Sequence, residues 1–181
     1  MEIKAELLKP YTDNEKQDFI ISQNHNLGYE IRETQEALQA WGKTDDEKLI
    51  EAKEQKTQET KDKAYDFLAN GNALFEFEKG KHIEATDGNI AKFTAYLIGF
   101  EKGLYEVVRW NTKEDENVEL NIEQVAFILQ GLANVQSDVW TWKYPYYLDK
   151  IEQAQTLEEV KNIVIDYEIE VTKEDEDEIK D

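Results

Sequence analysis

Polar and apolar positions alternate from Met1 to Leu8, the two-residue period of a strand with one covered face, and Pro10 closes the run. Thr12 or Asp13 can cap a helix that turns Phe19 and Ile20 inward. Asn24 to Gly28 reads as a turn and Tyr29-Glu30-Ile31 as a strand fragment. A short second helix then ends at Gly42. Thr44-Asp45-Asp46-Glu47 is a capping box, in which Thr and Glu satisfy each other's free amide hydrogens. The helix that it opens contains EAKEQKTQETKDK, with no large apolar residue between Lys53 and Lys63. Without an apolar face, such a helix reads as a solvated linker, and without an apolar heptad it is no coiled coil.

Periodicity returns at Ala64, Tyr65, Phe67 and Leu68, with Gly71 as the stop. Leu74 to Glu78 alternates as a half-buried strand, and Lys79-Gly80 turns it into His82-Ile83-Glu84. Thr86 or Asp87 caps a helix with Ile90, Phe93, Leu97 and Ile98 on one stripe. Tyr105 to Trp110 carries the strongest strand signal and returns through Thr112–Asn117 to Val118 and Leu120. Asn121 caps the longest amphipathic pattern, with Ile122, Val125, Ala126, Leu129, Leu132, Ala133 and Trp140 on its apolar face. Pro145 interrupts that helix or starts the next, which carries Leu148 and Ile151. A second capping box, Thr156 to Glu159, opens a last helix through Val160, Ile163 and Val164.

These elements predict an α+β fold: a small antiparallel sheet packed against long helices, joined by a polar linker helix to a small N-terminal α/β part. The expected division is a docking part at 1–43, the linker at 44–63, a compact α+β domain at 64–167 and an acidic tail at 168–181. The chain is 40% hydrophobic and 34% charged, which suffices for one modest core with a polar remainder.

Charge narrows the function. The net charge is −20, and residues 166–181 alone hold 9 acidic and 2 basic residues. Direct binding to nucleic acid or to an anionic membrane needs clustered Lys and Arg, so both are disfavoured. Cysteine is absent, which removes disulfides, thiolate metal sites and cysteine nucleophiles. No apolar run approaches a membrane span, and the first residues lack a secretory pattern, so a cytoplasmic origin is expected.

Candidate chemistry is sparse. His25 and His82 stand far apart and outside any metal-ligand spacing. Gly71, Gly80, Gly88, Gly99 and Gly103 are scattered as turn and cap residues, not gathered in a phosphate loop. Ser22 and Ser137 sit in no nucleophile motif. Lys113-Glu114-Asp115-Glu116-Asn117 lacks the spacing of a calcium loop and reads as a hairpin turn. The carboxylates are so many that sequence selects no pair for acid–base work. No catalytic residue, cofactor or metal ligand is therefore expected, and no enzymatic activity.

One cluster stands apart. Trp140, Trp142, Tyr144, Tyr146 and Tyr147 surround Pro145. Such rings fill a core at a helix junction, or anchor a protein partner, since Trp and Tyr bring large contact area at low entropy cost. One helix cannot bury all five, so both readings stand together, with alternate rings facing inward.

The stretches FEFEKGKHIEATDGNIAKFTAYLIGF, EVVRWNTKEDENVELNIEQVAFILQGLANVQ and YPYYLDKIEQAQTLEEV carry a resemblance. Hairpin, helix, strand ending in Trp110, polar turn, long helix and a closing Ile151-x-x-Ala154 resemble an uncharacterised domain of bacteriophage tail-fibre-region proteins, over residues 64–165. The segment YTDNEKQDFIISQNHNLGYEIRETQEALQAWG is similar to the start of small proteins encoded beside tail-fibre genes in phages of Gram-positive bacteria. The resemblance implies a structural or assembly role: an assembly chaperone or minor tail component bound to a fibre or baseplate protein. Its place would be the host cytoplasm during virion assembly, or the virion tail. Homo-oligomerisation stays open. The alternative suggested by the acidity is an inhibitor of a host defence nuclease that mimics nucleic acid.

Overall fold

The structure is a computed structural model and describes residues 1–168. Of the expected acidic tail, residues 169–181 lie outside the described residues. The protein is α+β, with small antiparallel sheets packed with helices. Its contacts divide it into two compact units, Met1–Glu54 with Gln155–Val160, and Gln55–Ala154 with Lys161 onward. The boundaries expected at residues 43–44 and 63–64 differ from this division, which falls inside one helix.

The first unit is built on a three-stranded antiparallel sheet. Strands β1 (Glu2–Leu8) and β2 (Glu30–Glu33) flank a central β3 (Ala37–Gly42). Helix α1 (Asp13–Ile20) starts at Thr12, whose hydroxyl caps Glu15 while Glu15 returns the bond, and it widens into a π-helical turn over Ile21–Asn26. Part of the expected turn at Asn24 is therefore helical, and the reversal comes at Gly28, with φ of 71°.

The short helix expected to end at Gly42 is strand β3. Ala37, Leu38 and Gln39 favour helix locally, but β1 and β2 pair with this segment on both edges, and Ala37, Leu38 and Ala40 are buried. Gly42 is no helix cap either. A Cβ there would come within 2.9 Å of the Tyr29 ring and the Lys4 side chain.

Helix α2 (Asp45–Ala69) begins at the predicted Thr44 box, with the Glu47 amide donating to Thr44 Oγ1 at 3.1 Å. It is not polar all round. Thr60 is fully buried, in step with Ala64 and Leu68 at four-residue intervals, so the stretch read as a solvated linker contributes to packing. Thr60 Oγ1 satisfies itself by donating to the Lys56 carbonyl at 2.8 Å.

The second unit adds two hairpins and three helices. They are β4 (Leu74–Glu78) with β5 (Lys81–Glu84), α3 (Asp87–Glu101), β6 (Val108–Asn111) with β7 (Asn117–Leu120), α4 (Ile122–Asp138) and α5 (Tyr144–Gln153). Its core gathers Ile83, Phe93, Leu120, Val125, Ile128, Leu132 and Tyr147, all 1% exposed or less. The buried face of α4 is Val125, Ile128, Gly131 and Leu132. Ile122 is 40% exposed and Ala126 and Ala133 face out, so the predicted stripe was rotated. Gly131 belongs to the face because Phe75 occupies the space of a side chain there, with Cζ 2.2 Å from where a Cβ would lie.

The strand expected from Tyr105 is confined to Val108–Asn111. Tyr105 instead lays its ring against Gly99, where a Cβ would meet it at 2.2 Å. The last helix, α6 (Leu157–Asn162), is shorter than expected: Ile163 lies beyond it and Val164 is 80% exposed. Residues 163–168 follow the second unit without regular structure, held by side chains. Lys56 donates to the Ile163 carbonyl, Lys143 to Tyr167 and the Tyr167 hydroxyl to the Thr60 carbonyl.

Candidate protein-binding surface

All five aromatic residues singled out in sequence lie where α4 passes through a π-helical turn (Val139–Lys143) into α5, with Pro145 in the first turn of α5. Pro145 has no amide hydrogen to donate, and the helical run passes it through the π-helical turn, where the Tyr144 amide donates to the Val139 carbonyl five residues back. The backbone sorts the rings by helical spacing, not by alternation.

Tyr147 is core, 1% exposed. Its hydroxyl donates to the Asp166 carbonyl at 2.7 Å and accepts from the Asp166 amide at 2.9 Å, and its pKa is pushed up chiefly by burial. It therefore serves packing and is unavailable to a partner.

Trp140, Tyr144 and Tyr146 are half-buried, and Trp142 is 37% exposed. Tyr146 packs on Tyr147 with ring centroids 5.3 Å apart, and Lys150 Nζ lies 4.2 Å from its centroid. Trp140 meets Tyr144 edge-on at 5.5 Å and Tyr65 at 4.9 Å with 61° between planes. The apolar period of the sequence places Tyr65 in a core stripe, yet it is 54% exposed. The apolar period that marked it fits a partly covered helix face equally well.

Tyr65 and Trp140 form two walls of a pocket of about 270 Å³. Leu68 and Ala69 extend its α2 side, and Thr86, Asp87 and Gly88 at the start of α3 close it with Gln136. Gln136 Nε2 donates to the Ala85 carbonyl at 3.0 Å and to Asp87 Oδ1 at 2.8 Å, fixing the carboxylate in place.

A second concavity, about 540 Å³, lies among β5, α3 and the β6–β7 hairpin. It brings Lys92, Arg109 and Lys113 near Trp110, but Lys113 pairs with Glu84 and Arg109 pairs with Glu119 at 3.0 Å. Lys92 Nζ lies 5.6 Å over the Trp110 ring. The groove is of mixed charge, with its strongest donors already engaged.

The two histidines belong to different units. His25 is exposed in the π-helical turn after α1. His82 is on β5, where its amide and ring both meet the Glu114 carboxylate, at 3.0 and 2.7 Å. The bond from the His82 amide, with the ring's contribution, holds Glu114 down at about 2. The turn weighed against a calcium loop thus uses Glu114 to tie one hairpin to the other. Among the described residues no three His, Asp or Glu side chains gather as a metal site would need, and no helix is long and apolar enough to cross a membrane.

No protein-family model, curated protein or solved structure matches the chain.

Proposed function

We propose that the protein binds another protein chain through the aromatic ledge of Tyr65, Trp140, Trp142, Tyr144 and Tyr146, and that it does so in the tail-fibre region of a bacteriophage. Its partner there is a fibre or baseplate protein, and its role is that of an assembly chaperone or minor tail component. The observation that carries the binding reading is the incomplete burial of these rings. Trp142 is 37% and Tyr65 54% exposed, beside the half-buried Trp140, Tyr144 and Tyr146. Large amphipathic rings with open faces are what protein interfaces use as anchors. The phage context rests on the sequence resemblance over residues 64–165.

The nuclease-inhibitor alternative gains nothing from the surface charges. A nucleic-acid mimic needs uninterrupted carboxylates at phosphate-like spacing, whereas here lysines break the rows. Glu33 is shared by Lys9 and Lys16, and Glu59 by Lys56 and Lys63.

The test is capture of the fibre protein encoded beside this chain by the purified full-length protein. The wild type is expected to retain it through a wash at 0.5 M salt, since ring-anchored contacts screen little. A Tyr65→Ala, Trp142→Ala double variant is expected to lose at least about tenfold in affinity, as loss of interface anchors does. Absence of a complex, together with normal particles from a phage lacking the gene, ends the proposal.

A further inference from the structure

The pocket between Tyr65 and Trp140 has a composition that its neighbour lacks. Of its lining residues Asp87 carries the only formal charge, and none is Lys, Arg or His. The Tyr65 and Trp140 rings meet edge to face at 61°, with centroids 4.9 Å apart, and both line the pocket. Gln136 spends its amide hydrogens on Ala85 and Asp87, which leaves its Oε1 to accept. Beside the apolar Leu68 and Ala69 and the Thr86 hydroxyl, the pocket offers a guest two rings, an amide oxygen and one negative charge.

We propose that this pocket receives the cationic side chain of a lysine or arginine from the protein partner, a claim that rests on the binding role assigned above. A cation over Trp and Tyr faces is attracted by their quadrupoles, and a carboxylate at the rim completes its neutralisation. Size favours one side chain over a free ligand, because 270 Å³ falls below the roughly 300–1,000 Å³ of small-molecule pockets. The long-range field agrees in sign, since a chain of net charge −20 draws basic partners toward it.

One effect opposes this. The amino-terminal end of α3 carries a positive partial charge of about half a unit and points toward the pocket's rim. The full negative charge of Asp87 in that first turn outweighs it, and the Thr86 hydroxyl already caps the Asn89 amide. The groove around Lys92 differs, since Lys92, Arg109 and Lys113 line it together with Glu84 and Asp115.

The experiment follows the tryptophan indole N–H signals of the full-length protein by NMR, with Trp140 assigned through Trp140→Phe. The probes are Nα-acetyl-lysine and Nα-acetyl-arginine N-methylamides, with the norleucine analogue as an uncharged control. The expected result is a saturable shift of the Trp140 signal with both cations and none with norleucine at equal concentration. Tyr65→Ala and Asp87→Asn, both at exposed positions, are each expected to weaken the cations by about three- to fivefold. Equal shifts from norleucine, or unchanged affinity in both variants, overturn the cation pocket. That outcome with fibre capture intact leaves the binding role standing, whereas cation binding without any fibre complex removes the role and keeps the pocket.

Discussion

In the first unit one central strand, Ala37–Gly42, supplies three of the buried apolar residues, and two of them are alanines. Side chains on the surface fasten much of the rest. Glu33 alone takes hydrogen bonds from Lys16 and the Tyr11 hydroxyl, both at 2.7 Å, and an ion pair from Lys9 at 3.1 Å. Arg32 lies 4.8 Å from the Trp41 ring. In the second unit Phe93 packs on Trp110 at 4.6 Å and on Tyr96 at 6.1 Å, and Tyr147 meets Tyr167 at 5.6 Å. One unit leans on exposed charge and the other on buried rings. Burial is worth kilocalories per side chain, while exposed ion pairs are worth a fraction of one. The two should therefore answer differently to truncation, acid and salt, and the tryptophans permit separate readings: Trp41 reports the first unit, Trp110 the second.

The sharpest break is Phe93→Ala. Phe93 is fully buried at the centre of the second unit, and its loss is expected to cost about 3–5 kcal/mol, as for other buried aromatics cut to alanine. Denaturant melts followed at Trp110 should show a large fall in midpoint. A loss below about 1 kcal/mol would mean that this core is not what holds the unit.

Tyr147→Phe is a smaller and more selective cut. It keeps the ring but removes both the donor to the Asp166 carbonyl and the acceptor of its amide. Asp166 is exposed, so water can take the place of the lost partner, and the expected cost is about 0.5–1.5 kcal/mol. Amide exchange at Asp166 and Tyr167 should quicken by more than exchange in α4. Uniform quickening would place the effect in general packing.

What was legible in the sequence was local. The helix starts at Thr12, Thr44, Asn121 and Thr156 were readable because a capping box involves residues three apart and no distant partner. The hairpin at Lys79-Gly80 was readable for the same reason, and Gly80 has a φ of 75°. Strand β3 was not, since Ala, Leu and Gln prefer helix until two flanking strands outvote them. Thr60 hid as well, although its place four residues before Ala64 and eight before Leu68 was a usable signal. Of the candidate surface, the cluster at residues 140–147 was visible as composition. The pocket was not, because Tyr65, Asp87 and Trp140 come from three helices and only tertiary packing brings them together.

The smallest expected effect falls on the first unit and tests its dependence on charge. Glu33 is held at about 2, first by Lys16, then by the Tyr11 hydroxyl and Lys9. An unfolded glutamate titrates near 4.3, so between about pH 4.3 and 2 the unfolded chain binds the proton and the folded unit does not. The stabilisation is thus complete above the unfolded value and is lost as pH falls through the folded one. Because Glu33 is exposed, the effect is modest and screened by salt. Melts followed at Trp41 should lose stability from pH 5 to pH 2 more steeply in low salt than in 0.5 M salt. Glu33→Gln should flatten that slope without abolishing it, since Glu47 is also held at about 2, by the terminal ammonium and the Thr44 amide. If the Trp41 slope is the same in Glu33→Gln and in wild type, the carboxylate hub is ornamental, and the small buried sheet must carry the first unit by itself.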